Sequence, residues 1–350
     1  YQLGKYLFID EAARVPEIFS AVKILVDRQD PTPTGICLAN SGNYLLLKRI
    51  RESLAGRVSL LSIYPLSWQE FSGSHQKPGL LSLIQGKVPK KIPLPQSLIS
   101  INRLREERIL WGGFPVPSLN EERTARTLWI RDYIRTYILP LVIEQFNIRE
   151  SLAFEQTSRL LFMQNGDFLN VNKLAQRVGI SQPTVRNYIH YLEAMMIIKQ
   201  IPVFFQNPIK RLVKHPKLYV CDPLLVHASL GEDFTLQKIS ERDQIGSIYE
   251  SFIYNELQKT LSHYDILSET FTWRTQDKAE VDLVLSTPYG LIPLEIKWST
   301  RLTSSQTKGL LSFMSDHPQV KRGYIIYPGD RIQAVTENVL AVPDWWLLGC

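Results

Sequence analysis

Three ionisable residues in the carboxy-terminal third have the types and spacing of a hydrolytic metal site. Asp282 lies in one apolar run, and Glu295 and Lys297 lie in the next. Side chains alternate along a strand, so Glu295 and Lys297 share a face that Asp282 can meet across a hairpin. Asp282 and Glu295 are predicted to hold one or two Mg²⁺ ions, and Lys297 to polarise the water that attacks a phosphate. Glu250, on the preceding helix, is a further candidate ligand.

The alternative for this segment is an edge hairpin with a surface Lys–Glu pair. Such pairs are common and contribute only about 0–1 kcal/mol. The apolar residues that flank the charges favour two buried central strands instead, and charges buried there require a reason. The turn of the hairpin is predicted at Pro288 and Gly290.

A second pair of carboxylates, Asp10 and Glu11, follows an apolar run at residues 6–9. This is the form of a Walker B element, in which Asp10 would hold the water shell of Mg²⁺ and Glu11 would polarise an attacking water. A strand that ends in surface carboxylates is the alternative. The sequence has no G-x-x-x-x-G-K-[ST] loop, which grips nucleotide phosphates. In most nucleotide hydrolases that loop precedes the Walker B strand, so we expect it upstream of Tyr1.

Two further residues are candidate nucleotide contacts. Residues 35–39 read as a second strand, and Ser41 follows it as a sensor residue would. Arg57 follows a helix predicted at residues 43–54 and is a candidate arginine finger or sensor. Residues 58–63 are predicted to form a third strand. Residues 17–27 and 121–146 are predicted to be helical, with shorter helices near Leu80 and at 102–110. Strands that alternate with helices favour a parallel sheet.

Residues 169–198 carry the sharpest secondary-structure pattern. Gly179 supplies a turn between two helices, and Ser181 caps the second helix. This is helix-turn-helix spacing. Four residues on the exposed face of the second helix are candidates for contact with DNA bases or phosphates: Gln182, Thr184, Arg186 and Asn187. Such units also serve as protein-contact modules or lids, and this alternative stays open.

Length and composition narrow the class of protein. The 350 residues predict two or three domains, and 44% apolar with 21% charged residues is ordinary for a globular protein. A net charge of +6 permits nucleic-acid binding without requiring it. Three dispersed cysteines fit a reducing, cytoplasmic compartment and show no zinc spacing. No apolar stretch reaches the ~18 residues that span a bilayer, so no membrane partner is expected.

In their order along the chain, these motifs resemble a family of bacterial and archaeal AAA-type ATPases. The resemblance covers nearly the whole chain and rests on residues 8–11, 15–19, 38–41, 52–58, 64–71, 112–115 and the helix-turn-helix. Two features depart from the family. Ala39-Asn40 replaces the middle pair of the usual Leu-Thr-Gly-Ser sensor strand, and the Walker A loop is missing.

The resemblance implies ATP and Mg²⁺ binding, a winged-helix segment and a carboxy-terminal domain of unknown function with a PD-(D/E)XK nuclease fold. It implies that Asp10 and Glu11 are the Walker B acids and that Ser41 lies at the sensor strand. The nuclease triad would be Asp282, Glu295 and Lys297.

The expected fold is therefore α/β, with a partial P-loop/AAA-type parallel sheet, a helical winged-helix region and an α/β restriction-endonuclease-like domain. The expected boundaries are 1–75 for the ATPase part, 76–135 for a connector and helical lid, 136–205 for the winged helix and 206–350 for the nuclease-like domain. The expected function is that of an ATPase-related protein associated with DNA or RNA. The alternative is a non-catalytic DNA- or protein-binding module with degenerate sites. Self-association into rings is typical of AAA-type domains.

Overall fold

The computed structural model describes residues 6–28, 35–40, 50, 52–95, 97–205, 215–231, 235–241, 243–275, 277 and 279–350. It is a mixed α/β structure. Its strands are β1 (Tyr6–Ile9), β2 (Gly35–Leu38), β3 (Ile198–Ile201), β4 (Lys217–Val220), β5 (Glu269–Arg274), β6 (Glu280–Thr287), β7 (Gly290–Ile296), β8 (Gly323–Tyr327), β9 (Gln333–Thr336) and β10 (Val339–Pro343).

Fifteen α-helices are described, and most of them lie between β2 and β5. They are α1 (Glu17–Asp27), α2 (Trp68–Ser72), α3 (Gly79–Ile84), α4 (Leu98–Trp111), α5 (Pro115–Leu119), α6 (Arg123–Tyr133), α7 (Leu139–Phe146), α8 (Ser151–Met163), α9 (Val171–Val178), α10 (Gln182–Ala194), α11 (Pro223–Leu230), α12 (Leu236–Glu241), α13 (Ile245–His263), α14 (Lys308–Asp316) and α15 (Asp344–Leu348).

The amino-terminal part contains a small parallel β-structure with its own core. Strands β1 and β2 pair in parallel, with Tyr6 opposite Gly35. Phe19 and Val22 of α1 pack with Leu54 into a separate apolar cluster. The predicted strands and the helix at 17–27 are confirmed here. Most of the predicted helix at 43–54 lies outside the described residues.

The predicted third strand at residues 58–63 is wrong. These residues form no regular element, and Leu61 and Ile63 are 91% and 94% exposed. A strand requires a hydrogen-bonded neighbour, and no sheet that the structure describes includes this segment. An apolar run therefore does not suffice to define a strand.

The connector and helical regions share one buried core with the carboxy-terminal part. This core extends from Trp68 to Leu348 and crosses the expected boundaries at 135 and 205. The predicted helices near Leu80 and at 102–110 correspond to α3 and α4. The long helix predicted at 121–146 contains a π-helical turn at Ile134–Ile138. Pro140 follows that turn, and because proline lacks an N–H, the hydrogen-bond ladder of an α-helix is interrupted there.

The carboxy-terminal part is built on a six-stranded sheet in the order β5-β6-β7-β8-β10-β9. β6 and β7 form the predicted antiparallel hairpin, and β7, β8 and β10 run parallel to one another. Apolar side chains cover both faces. Leu283 and Leu294 pack on the side of the long core, whereas Val284 packs against Phe313 of α14 on the other side.

A buried ion pair joins α4 of the connector to α15, the helix that follows β10 of this sheet. The Arg105 guanidinium of α4 binds Asp344 through two hydrogen bonds of 2.5 and 2.6 Å. The Tyr249 hydroxyl of α13 donates to the same carboxylate at 2.7 Å. The two charged side chains are 3% and 0% exposed, so the pair is fully shielded from water.

Arg105→Ala should therefore destabilise the protein strongly. Removing one partner leaves a buried charge without compensation, which costs about 3–5 kcal/mol. Urea unfolding followed by circular dichroism measures the loss. Arg131→Ala is the control, since Arg131 is 57% exposed beside Asp132, and its removal should change stability by no more than about 0.5 kcal/mol. Equal effects of both substitutions would contradict the assignment.

Candidate functional site

The hairpin geometry gathers charged residues at one end of two interior strands of the six-stranded sheet, β6 and β7. β6 begins where its antiparallel neighbour β7 ends, so Glu280 and Asp282 lie beside Glu295. Against β5, β6 carries one extra residue: Phe271 and Trp273 pair with Val284 and Val281. Such a β-bulge redirects a side chain out of the normal alternation, and here it lies at Asp282.

The three residues predicted as a catalytic set do come together. The Lys297 Nζ lies 2.6 Å from Glu295 Oε1 and 3.8 Å from Asp282 Oδ2. Asp282 Oδ2 also accepts a hydrogen bond from the Ile296 backbone N–H at 2.8 Å. Asp282 and Glu295 are only 7% and 9% exposed. The sequence argument for buried charges in central strands therefore agrees with the structure, while their catalytic role stays a prediction.

A residue that the sequence did not indicate occupies the middle of this cluster. Lys217, the first residue of β4, places its Nζ 2.6 Å from Glu250, 3.1 Å from Glu280 and 3.4 Å from Asp282. The Tyr219 hydroxyl donates a further hydrogen bond to Glu250. We refer below to Lys217, Glu250, Glu280, Asp282, Glu295 and Lys297 as the charge cluster.

The burial pattern of β4 marks Lys217 as unusual, but the sequence alone does not show its partner. Lys217 and Tyr219 alternate with Leu218 and Val220, so a lysine and a tyrosine share one face of a strand that is buried along its whole length. A buried lysine requires a charged partner. The identity of the partner follows from tertiary folding, because Lys217 is separated from Asp282 by 65 positions.

Burial changes the ionisation of the cluster. Burial, together with the nearby Asp282 charge, raises the pKa of Glu250 to about 7 and the pKa of Glu295 to about 8. For Lys217, burial alone would lower the pKa. Tyr219 and the carboxylates around it outweigh burial, so the pKa of Lys217 is raised well above its usual value. The ammonium therefore stays charged at any physiological pH.

The arrangement does not fit a resident divalent ion. With Lys217 in place, the carboxylates around it are not arranged to hold a metal, and the same is true of any other group of histidine, cysteine, aspartate or glutamate side chains among the residues that the structure describes. An ion at the centre would meet the Lys217 ammonium, and two unit charges 4 Å apart repel by about 4 kcal/mol at an effective dielectric constant of ~20. A doubly charged ion would meet twice that repulsion. The Mg²⁺ expected at Asp282 and Glu295 stays a prediction without support from this geometry.

The predicted nucleotide residues lie at the end of β1. Asp10 follows the strand directly, and its Oδ1 accepts a hydrogen bond from the Glu11 N–H at 2.9 Å. Glu11 has a left-handed backbone, with φ of 48°. Asp10 is exposed at the carboxyl end of a parallel strand pair, where its carboxylate is accessible to a metal ion. Ser41 lies outside the described residues.

Arg57 binds a residue of its own domain. Its guanidinium makes two hydrogen bonds with the Asp27 carboxylate at the end of α1, at 2.6 and 3.1 Å. The hydrogen bond lowers the pKa of Asp27. An arginine finger would have to release this partner to reach a nucleotide.

The predicted nucleic-acid residues are on the first turns of α10. The Ser181 hydroxyl caps this helix by accepting the Thr184 N–H, and Gly179 makes the turn with φ of 78°. Gln182, Arg186 and Asn187 are exposed, whereas Val185 on the opposite face is fully buried. The Thr184 hydroxyl hydrogen-bonds to Ser181, which reduces its availability for a base.

Comparison with known proteins agrees with part of the family resemblance. Residues 1–72 match an AAA domain, and residues 102–235 and 245–346 match two domains of unknown function, DUF8612 and DUF4143. These matches support an AAA-type, ATPase-related chain with a carboxy-terminal domain of unknown function. The AAA match also supports nucleotide binding as a class of activity.

The relatives that this chain matches are themselves described as uncharacterized proteins. One from Mycobacterium tuberculosis is 28% identical over 97% of this chain and 69% of its own length. One from Methanocaldococcus jannaschii is 24% identical over 73% of this chain and 53% of its own length. A solved structure of a mutant MepR from S. aureus matches 41% of this chain and 99% of its own at 20% identity. Its TM-score of 0.19 supports no inference about fold.

The helices of the structure can also be compared with the length of a membrane span. Within the part of the chain that the structure describes, none of the helices has the length and apolar character needed to cross a bilayer.

The charge cluster should make folding stability depend on pH. Because the pKa of Glu295 rises from 4.5 to about 8 on folding, the folded protein holds a proton that the unfolded chain releases in this window. The contribution of Glu295 to the free energy of unfolding is therefore fully present below pH 4.5. It is lost as pH rises towards 8, with a slope of at most about 1.4 kcal/mol per pH unit for this one proton.

Glu295→Gln mimics the protonated side chain, so its stability relative to wild type should increase between pH 5 and 8. Urea unfolding at several pH values measures the difference. Glu269→Gln, at an exposed position on β5 of the same sheet, is the matched control. Parallel pH curves for wild type and Glu295→Gln would show that burial does not hold a proton on Glu295.

Proposed function

We propose that this ATPase-related chain associates with nucleic acid through α10. The observation that carries the proposal is the division of this helix into two faces. Val185, Ile189 and Leu192 are buried, while Gln182, Arg186 and Asn187 face solvent at its amino-terminal end. A helix with polar side chains exposed at its beginning can enter the major groove of DNA.

The charge of this region supports contact with phosphates. Lys173 and Arg177 of α9 and Arg186 of α10 are all exposed. Lys199 on β3 is instead neutralised by Glu193 at 3.1 Å. Three exposed cations on two adjacent helices can neutralise backbone phosphates, which supplies most of the affinity in non-specific binding.

A cavity of about 220 Å³ lies beside the same helix. Thr184 and Asn187 line one wall, and the segment from Phe146 to Glu150 lines the other. Arg149 adds an exposed guanidinium, and the Phe146 and Tyr191 rings stack at 4.1 Å. Aromatic and cationic side chains together are common where nucleic-acid backbones and bases are contacted.

Contact with a protein is the alternative for this surface. The two cases differ in their response to salt. Neutralising phosphates releases counterions, so the logarithm of the DNA-binding constant falls linearly with the logarithm of salt concentration, with a slope of about 0.9 per phosphate contact.

Arg186→Ala should weaken binding to a fluorescently labelled duplex and reduce the salt slope by about 1. Fluorescence anisotropy at several salt concentrations measures both quantities. Arg131→Ala removes an exposed arginine on α6, a helix that does not line the cavity beside α10, and should leave the slope unchanged. If wild-type protein binds neither duplex nor single strands at low salt, the nucleic-acid proposal fails and a protein partner is favoured.

Nucleotide binding is proposed for the amino-terminal part. Asp10 and Glu11 supply oxygen ligands of the kind that Mg²⁺ prefers, at the carboxyl end of β1. The 350 residues contain no glycine-rich loop with a lysine to hold the phosphates. The residues here thus fit the metal side of an ATP site but not its phosphate side, and ATP binding is proposed only for a form that carries such a loop before β1.

For the carboxy-terminal part we favour a non-catalytic role. The predicted nuclease residues are adjacent, but the Lys217 ammonium lies between Glu250 and Asp282, two of the carboxylates predicted to bind the metal. No hydrolytic step is assigned to Asp282, Glu295 and Lys297 on this basis.

Wild-type protein with Mg²⁺ or Mn²⁺ should therefore leave DNA and RNA uncut. Gel analysis of labelled single- and double-stranded substrates at low salt tests this. Metal-dependent cleavage that disappears in both Asp282→Ala and Lys297→Ala would instead establish the nuclease activity expected from the sequence.

A further inference from the structure

The position of Lys217 carries an inference about the charge cluster that builds on its proposed non-catalytic role. We propose that the Lys217 ammonium is a built-in replacement for a divalent cation, so that the cluster excludes metal while Lys217 is present and becomes a metal site when its charge is removed. In the unmodified cluster the protein then supplies the bridging cation itself.

The Lys217 ammonium occupies the position that a metal ion would have among these carboxylates. Its nitrogen contacts three carboxylates, at 2.6, 3.1 and 3.4 Å. These are Glu250 of α13 and Glu280 and Asp282 of β6, so the lysine of β4 joins two other elements. A single cation bridged by carboxylates from separate elements is the arrangement that a bound metal ion usually provides.

The Lys217 side chain also has little space to move. Its side chain is 4% exposed, and every residue of β4 is buried. The Phe168 ring lies 5.9 Å from the Nζ and covers one side. By contrast, the Lys297 side chain is 31% exposed and can reach solvent. Lys217 would have to bury its charge elsewhere to admit a metal ion.

One carboxylate oxygen of the cluster, Glu295 Oε2, lacks a hydrogen-bond partner among the described residues. Glu295 is only 9% exposed, and its Oε1 pairs with Lys297. Its Oε2 is buried and has no hydrogen-bond partner among the described residues. A buried carboxylate oxygen without a donor is costly. Glu295 thus retains ligand capacity that the lysines do not satisfy, and a cation could use it once Lys217 is neutralised.

The test compares Mn²⁺ binding by wild type and Lys217→Met. Methionine keeps the length and apolar contacts of the side chain and removes its charge. We expect Lys217→Met to bind one Mn²⁺ at least about tenfold more tightly than wild type, measured by electron paramagnetic resonance and by the rise in melting temperature. Adding Asp282→Asn to this variant should abolish the gain.

Lys259→Met is the matched control. Lys259 is mostly shielded, at 10% side-chain exposure, and pairs with Glu256 at 2.6 Å on the same helix as Glu250. This pair contains one carboxylate, whereas three carboxylates surround Lys217. Removing the Lys259 charge should therefore create no metal site.

Two results would overturn the proposal. One is stoichiometric Mn²⁺ binding by the wild-type protein that is lost in Asp282→Asn. This result can be obtained even if Lys217→Met does not fold. The other is a folded Lys217→Met protein, judged by circular dichroism, that binds Mn²⁺ no better than wild type. Neither outcome depends on DNA binding, so this inference and the function proposed for α10 can fail independently.

Discussion

The carboxy-terminal part depends on the balance of charge at one end of two interior strands of its sheet. Four carboxylates, Glu250, Glu280, Asp282 and Glu295, converge there, and two lysines offset part of their charge. Buried carboxylates without counter-charges would be unstable in this fold. Lys217 is central because it reaches three of the four and comes from a strand outside the six-stranded sheet. The cluster therefore ties β4, α13 and the β6–β7 hairpin together.

The same principle applies to the connector. Arg105 of α4 and Asp344 of α15 are separated by 239 positions and bury their charges against each other. Trp68 at the start of α2 donates its backbone N–H to Glu256 of α13 at 2.7 Å. These contacts make the segment after residue 65 part of the carboxy-terminal core.

Sequence patterns predicted the elements whose signal is local. The helix at 17–27 and the hairpin around Pro288 follow from periodicity and turn residues, and both are present. Residues 58–63 have the same apolar character as β1, yet they form no strand, since pairing depends on a neighbour elsewhere in the chain. The adjacency of Asp282, Glu295 and Lys297 was predictable because a hairpin fixes its own register. Lys217 was not, because β4 reaches the cluster only through tertiary packing.

The most direct measurement is a crystal structure of the wild-type protein grown with Mn²⁺, with anomalous diffraction to locate the metal. Our account predicts the Lys217 nitrogen between Glu250 and Asp282, with no anomalous peak within bonding distance of either carboxylate. A peak coordinated by Asp282 and Glu295, with the Lys217 side chain turned away, would contradict it and restore a metal-dependent reaction at this end of the strands.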